Sequence, residues 1–235
     1  SILQLKNGDL DARSVDSHFL LCFSMLLEQN DSRFKNLVLA NGFSEKYNIK
    51  YLKHKNINSK DFLKLVKLIR CDLFVSMSFN QIFKKDILSI PKLKTINCHA
   101  GLLPFYRGRN ILNWVLINDE KKFGITVHYI DEGIDTGDII LQRKYPITDK
   151  DDYQTLLERA KKYCADILYD SLCLIEKGDA ERIDQNSIDP EGSYSRRRVV
   201  GDEWVDWSKS SREIFNFIRD RNVACRVNGF KCQKF

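Results

Sequence analysis

The sequence has no apolar run near the roughly 20 residues that cross a bilayer. Its longest, around Phe19–Leu27, is short and interrupted by Ser24. No basic-then-apolar stretch opens the chain. There is no internal repeat and no low-complexity tract. No Gly-x-Gly-x-x-Gly follows a first strand, so the dinucleotide fingerprint is lacking. The cysteines (Cys22, Cys71, Cys98, Cys164, Cys173, Cys225 and Cys232) form no CxxC pair and have no zinc-ligand spacing. Most fall within apolar stretches, so reduced, buried thiols and no metal are expected. These absences exclude a membrane-spanning protein and point to the cytoplasm.

Charge is equally uninformative about a polyanion. The net charge of +6 is spread along the chain, apart from Arg196-Arg197-Arg198. No aromatic-basic stripe of the kind that binds single strands is present, so no nucleic-acid partner is expected. With 43% hydrophobic and 30% charged residues, the composition is that of a soluble globular protein. A chain of 235 residues holds one large α/β domain, or one with a small appendage.

Helical spacing of Phe19, Leu20, Phe23, Leu26 and Leu27 predicts a helix over Val15–Glu28, with Ser14 as its cap. Lys35–Ala40 reads as a strand ending in Asn41-Gly42. Ser59–Ile69 reads as a second helix, Leu73–Met77 as a buried parallel strand, Lys84–Ser89 as a helix closed by Pro91, and Lys94–Asn97 as a short strand. This alternation predicts a Rossmann-like, parallel-rich sheet with helices on both faces. Asn110–Asn118 then reads as helix, and Gly124–Ile130 and Ile139–Tyr145 as strands. Asp152–Glu176 reads as a long helix opened by acidic residues. A catalytic unit over residues 1–178 and a connector with a small C-terminal module over 179–235 are expected, with a helix at Ser210–Arg219.

Ligands of open α/β sheets bind beyond the carboxyl ends of the strands. There, Asn97-Cys98-His99 places an amide and an imidazole two residues apart on extended backbone, so both point the same way. A loop with Pro104, Arg107 and Gly108 follows. A second segment, Gly124 to Asp138, is an alternating strand running into a loop with two glycines and several carboxylates, among them Asp131 and Asp135. Read alone, that loop is a turn or a weak metal site, and Asn97 with His99 fits a structural pair as well as a catalytic one.

Together the two segments closely resemble the folate-dependent formyltransferase family. This family includes methionyl-tRNA formyltransferase, glycinamide ribonucleotide transformylase and the sugar N-formyltransferases. Its motif Asn-x-His-x-Ser-Leu-Leu-Pro-x-x-Arg-Gly is similar to Asn97 through Gly108, with Gly101 where the serine usually stands. Its Leu-Asp-x-Gly loop after a Val-His strand is similar to Val127-His128 and Ile134-Asp135-Thr136-Gly137. The runs Arg107–Glu120 and Trp204–Arg219 resemble the formylating domain of the enzyme that modifies aminoarabinose-bearing lipid precursors and its connector. The opening Ile2-Leu3-Gln4-Leu5 with Asn7-Gly8 is a poor version of the family's first strand and turn.

The resemblance implies an N-formyltransferase that uses N10-formyltetrahydrofolate and no metal. Asn97 would donate to the tetrahedral oxyanion, where such donors contribute about 3–4 kcal/mol each. His99 would move the proton and Asp135 would orient the imidazole. The pterin would lie between two loops, with Phe79, Gln81, Ile82, Ile130 and Asp131 as its contacts. His128 reads as structural, and His18 and His54 lie outside the motifs.

Only residues 208–235 follow Trp207, less than the C-terminal domain of the tRNA enzymes. The expected acceptor is a nucleotide-linked amino-deoxy sugar of the dTDP-4-amino-4,6-dideoxyglucose type, used for surface polysaccharide. Tyr106, Arg107, Arg109, Asn110, Tyr194 and Arg196 are its candidate contacts, and a homodimer is expected. Methionyl-tRNA or glycinamide ribonucleotide formylation, formyl-folate hydrolysis and non-catalytic folate binding stay open as alternatives.

Overall fold

The computed structural model describes residues 20–24, 54–220, 226–227 and 230–231. A five-stranded sheet organises them: β1 (Leu20–Ser24), β2 (Leu73–Met77), β3 (Thr95–His99), β5 (Lys122–Tyr129) and β6 (Ile139–Pro146), in that spatial order. The first three run parallel, and β5 and β6 are each antiparallel to their neighbour. A two-rung parallel ladder joins β4 (Arg107–Gly108) to β7 (Tyr194–Ser195). A short antiparallel pair joins β8 (Arg226–Val227) to β9 (Phe230–Lys231).

Both faces of the sheet are covered, and β2 shows why. Leu73 and Val75 enter one apolar cluster and Phe74 enters the other, as successive residues of a strand point to opposite faces. The first cluster packs against α3 (Ile111–Ile117) and α4 (Tyr153–Lys177). The second packs against α1 (Lys60–Ile69) and α2 (Lys85–Leu88). A fifth helix, α5 (Ser211–Arg219), lies against α3.

The caps are written in the sequence. Ser59 accepts from the Phe62 amide to start α1. Asp152 and Thr155 form a capping box at α4, whose end is turned by Gly178 in the left-handed conformation. Ser210 and Glu213 do the same for α5.

One expected element is overturned. Residues 20–24, assigned to a helix by their apolar spacing, form β1, paired in parallel with Leu73–Met77 over five rungs. An apolar run fits a buried strand as well as a helix face, and here an open strand edge was waiting for it. The remainder of that expected helix, the strand expected at Lys35–Ala40 and the poor first strand at Ile2–Leu5 lie outside the described residues. Residues beyond Gly178 also return to the sheet: Ile183 bridges to Ile139, and β7 props the loop that follows β3. Among the described residues no helix is long and apolar enough to cross a membrane.

Candidate active site

Asn97 and His99 lie at the end of β3, where Asn97 is in register with Ser76 of β2 and Cys98 with Met77. On the other side His128 pairs with Asn97 in antiparallel register, at a register shift in β5. Such irregularities re-aim a side chain next to a site. Asp135 arrives on the β5–β6 loop with φ of 56°, a left-handed conformation that aspartate tolerates better than most residues.

Hydrogen bonds assign the chemistry of each ring. His128 Nδ1 faces the Tyr129 carbonyl at 2.8 Å, so it carries the proton. Its Nε2 then accepts from Asn97 Nδ2 at 3.2 Å. His99 Nε2 donates to the Tyr106 carbonyl at 2.7 Å. His99 Nδ1 is left facing the Asp135 carboxylate at 3.6 Å, too long for a hydrogen bond and close enough for an ion pair. The bond that orients the His99 ring therefore comes from Tyr106, while Asp135 supplies charge.

Asp135 is 13% exposed at its side chain and lies 3.5 Å from His128 Nε2. One oxygen accepts from the Gly108 amide at 2.9 Å and the other from Asn97 Nδ2 at 3.4 Å. Burial pushes its carboxyl up. The charge of a protonated His99 and the bond from the Gly108 amide act against burial, and the carboxyl is held well below the usual carboxylate range. The result is a fixed, buried negative charge beside an imidazole nitrogen that can take up and release a proton.

Two glycines make this closeness possible. Gly108 has φ of +98°, and a Cβ there would meet the Ser195 carbonyl at 2.4 Å. At Gly101, a Cβ would meet His99 Nε2 at 2.5 Å and the Tyr106 carbonyl at 2.6 Å. The His99 ring thus occupies the space that a serine would need.

The expected cofactor contacts fall into two groups. Phe79 and Ile130, from the two separate loops, pack against the same apolar cluster, and Ile82 is 55% exposed beside them. Gln81 instead ties down residues 55–57, accepting from the Ile57 amide and donating to the Lys55 carbonyl. Asp131 closes its own turn, accepting from the Gly133 amide and the Thr136 hydroxyl.

Among the expected acceptor contacts, Arg107 is 5% exposed. Its guanidinium donates to Gln185 and to the Glu191 carbonyl, so it braces the loop from inside. Arg196 lies over the Trp114 ring and makes a two-pronged pair with Asp202. Asn110 holds the Arg198 amide, and the Tyr106 hydroxyl donates to Glu120 at 2.5 Å. That leaves Arg109, whose side chain is exposed with no hydrogen bond or ion pair among the described residues, and Tyr194, 58% exposed with its ring over the Arg107 guanidinium.

Reasoning from the sequence missed Gln185 and Ser193. Ser193 accepts the Tyr106 amide through its hydroxyl and the Arg107 amide through its carbonyl. Neither lies in a motif segment; the only signal was a polar, irregular stretch 78 positions from Arg107.

Fold and site together define an α/β protein with an amide–imidazole–carboxylate set at the carboxyl end of a central strand. Residues 27–172 match the profile of the formyl transferase family, and the chain belongs to that family. It is 35% identical over 195 residues to a methionyl-tRNA formyltransferase of Fusobacterium nucleatum, covering 82% of this chain and 60% of the relative. It is 37% identical over 176 residues to the bifunctional polymyxin resistance protein ArnA of Wigglesworthia glossinidia brevipalpis, covering 75% of this chain and 27% of that one. Among solved structures it is similar to the sugar 3N-formyl transferase WlaRD with dTDP and 5-N-formyl-THF (28% identity, TM-score 0.61, 76% of this chain and 61% of that one). It is similar too to an N-formyltransferase of Helicobacter canadensis with folinic acid and dTDP-3-aminofucose (27% identity, TM-score 0.60, 76% and 62%). The chain spans 60% or less of the length of the methionyl-tRNA formyltransferases it matches.

Proposed function

We propose that this protein transfers a formyl group from N10-formyltetrahydrofolate to the amine of a nucleotide-linked amino-deoxy sugar. The observation that carries the reading is Asp135, held as a buried carboxylate between His99, His128 and the Gly108 amide. The amine nitrogen attacks the formyl carbon, and the carbonyl electron pair moves to oxygen. His99 takes the proton that the amine loses, and Asp135 stabilises the imidazolium. Collapse of the intermediate breaks the bond to N10, which leaves with a proton. Asn97 donates to the oxygen while it is charged. The pterin lies against the loops carrying Phe79, Ile82 and Ile130, and no residue of this scheme needs a metal.

The acceptor is argued from the rim. Arg109 offers a cation unpaired among the described residues and Tyr194 an exposed ring, and their segments are the two partners of the β4–β7 ladder, next to the amide that holds Asp135. A cation beside an aromatic face suits a diphosphate and a base. The solved relatives that bind dTDP and dTDP-3-aminofucose support this choice. A second reading, formylation of methionyl-tRNA, is favoured by the curated relatives at 35–40% identity.

Incubation with formyl-folate and, separately, dTDP-3-amino, dTDP-4-amino and UDP-4-amino sugars and charged initiator tRNA decides between them, with formylated product read by mass spectrometry. A formylated sugar nucleotide is expected, and formylation of the tRNA alone would overturn the sugar reading. Formate release without an acceptor would identify a hydrolase, and no turnover of any kind a binding protein. The reading also places the reaction in the cytoplasm, where nucleotide sugars are made, and takes the enzyme as a homodimer, which its mass in solution tests.

A further inference from the structure

Gln185 lies in a single helical turn, Gln185–Ser187, away from both motif segments. It is 1% exposed, and its amide is used to capacity. Nε2 donates to the carbonyls of Asp135 and Gly137, both at 2.8 Å. Oε1 accepts from Arg107 Nε at 3.1 Å and Nη2 at 2.9 Å. Two donors and two acceptor positions are all that a carboxamide has at these lengths.

The groups so joined are the two halves of the site. Arg107 precedes Gly108, whose amide holds the Asp135 carboxylate. The Asp135 carbonyl is the atom Gln185 grips. Asp135 is therefore fixed twice, through its side chain by Gly108 and through its backbone by Gln185. It needs fixing: a non-glycine residue in the left-handed region lies about 1–2 kcal/mol above its helical alternative, and the loop carrying it is glycine-rich.

We propose that Gln185 is the positioning residue of this site, holding Asp135 so that its carboxylate stays between His99 and His128. The geometry stands without reference to the reaction, while the effect on rate rests on the formyl-transfer reading. Glutamine is the side chain this place requires. Glutamate would keep the acceptor toward Arg107 but turn a second oxygen against two carbonyls. Leucine would remove both halves of the bridge.

The experiment compares Gln185→Glu and Gln185→Leu with the unmodified full chain. Two readouts are used: steady-state kinetics with formyl-folate and amine acceptor, and ring 15N shifts of histidine-labelled protein without substrate. Both variants are expected to lose kcat on the order of 100-fold, as for a misplaced reacting group, with KM changed less than about threefold. The ring signals of His99 and His128 are expected to move together while those of His54 stay. A Gln185→Glu protein with wild-type kcat and wild-type ring shifts would overturn the proposal, because the bonds to Arg107 would then be all that matters. A change confined to KM would overturn it as well. Where Gln185→Leu does not fold, Gln185→Glu, which keeps the buried Arg107 partnered, carries the test. Moved ring signals in a chain whose wild type transfers no formyl group would remove the formyl reading and leave the positioning role. Unmoved signals in an active enzyme would do the reverse.

Discussion

Arg107 and Arg109 are two residues apart on one loop, and their circumstances are opposite. The first is buried and bonded to Gln185 and Glu191; the second is exposed and has no hydrogen bond or ion pair among the described residues. The same contrast separates the floor of the site from its rim. On the floor Asp135, His99, His128 and Gln185 are each held by hydrogen bonds, which reach across three segments. On the rim, Arg196 and Arg198 are paired with Asp202 and Asp220, Tyr194 is exposed with one face over the Arg107 guanidinium, and Arg109 is exposed with no hydrogen bond or ion pair among the described residues. A charged residue in a motif is thus no guide to contact with a ligand. The floor arginine braces its loop from inside, and the rim arginine is the one proposed above for the acceptor.

The contrast breaks most visibly at the floor. Replacing Asp135 by Asn is expected to lower kcat/KM about 1,000-fold, and His99→Asn is expected to be comparable. Steady-state rates check both, and a His99→Asn protein within tenfold of wild type (on the scale of a small general-base contribution) would sink the proton-transfer role.

Next in size is the brace. Arg107→Met removes charge-assisted bonds from a buried site and is expected to cost ~2–3 kcal/mol in denaturant unfolding. Arg109→Ala is expected to leave stability within about 0.5 kcal/mol. Its effect belongs in KM for the nucleotide acceptor, raised roughly tenfold with kcat unchanged. Equal destabilisation by the two substitutions would erase the distinction between floor and rim.

The smallest expected effect is on acid stability. The Asp135 carboxyl titrates below its unfolded value, near pH 3.9. The unfolded state therefore binds the proton first as pH falls. The stabilisation is complete above about pH 5 and is lost below that, toward the folded value. The Tm advantage of wild type over Asp135→Asn should shrink across that acid range, and a constant difference from pH 7 to about pH 2 would show that the charge is not stabilised by the fold.

Much of this was legible in the sequence, for local reasons. Ser59, Asp152 and Ser210 announced their helices because capping is a matter of a few adjacent residues. Asn97 and His99 were singled out by the motif they share with the family, and strand alternation places them on one side. What was missed depends on distance or on competition. Residues 20–24 read as helix because an apolar run does not say which neighbour it will meet. Gln185 was invisible because its partners sit 78 and 50 positions away. The internal acceptors of Arg107 and Arg196 were not legible, because a guanidinium looks available in sequence until its partners are seen.

The ladder of β4 and β7 carries a consequence for how the protein comes into being. Asn97, His99 and Asp135 all leave the ribosome well before Gln185, Ser193 and Ser195, which hold their loops in place. A nascent chain ending near residue 180 has every reacting group and none of these late fastenings. The groups that fasten the site are thus synthesised after the groups they hold.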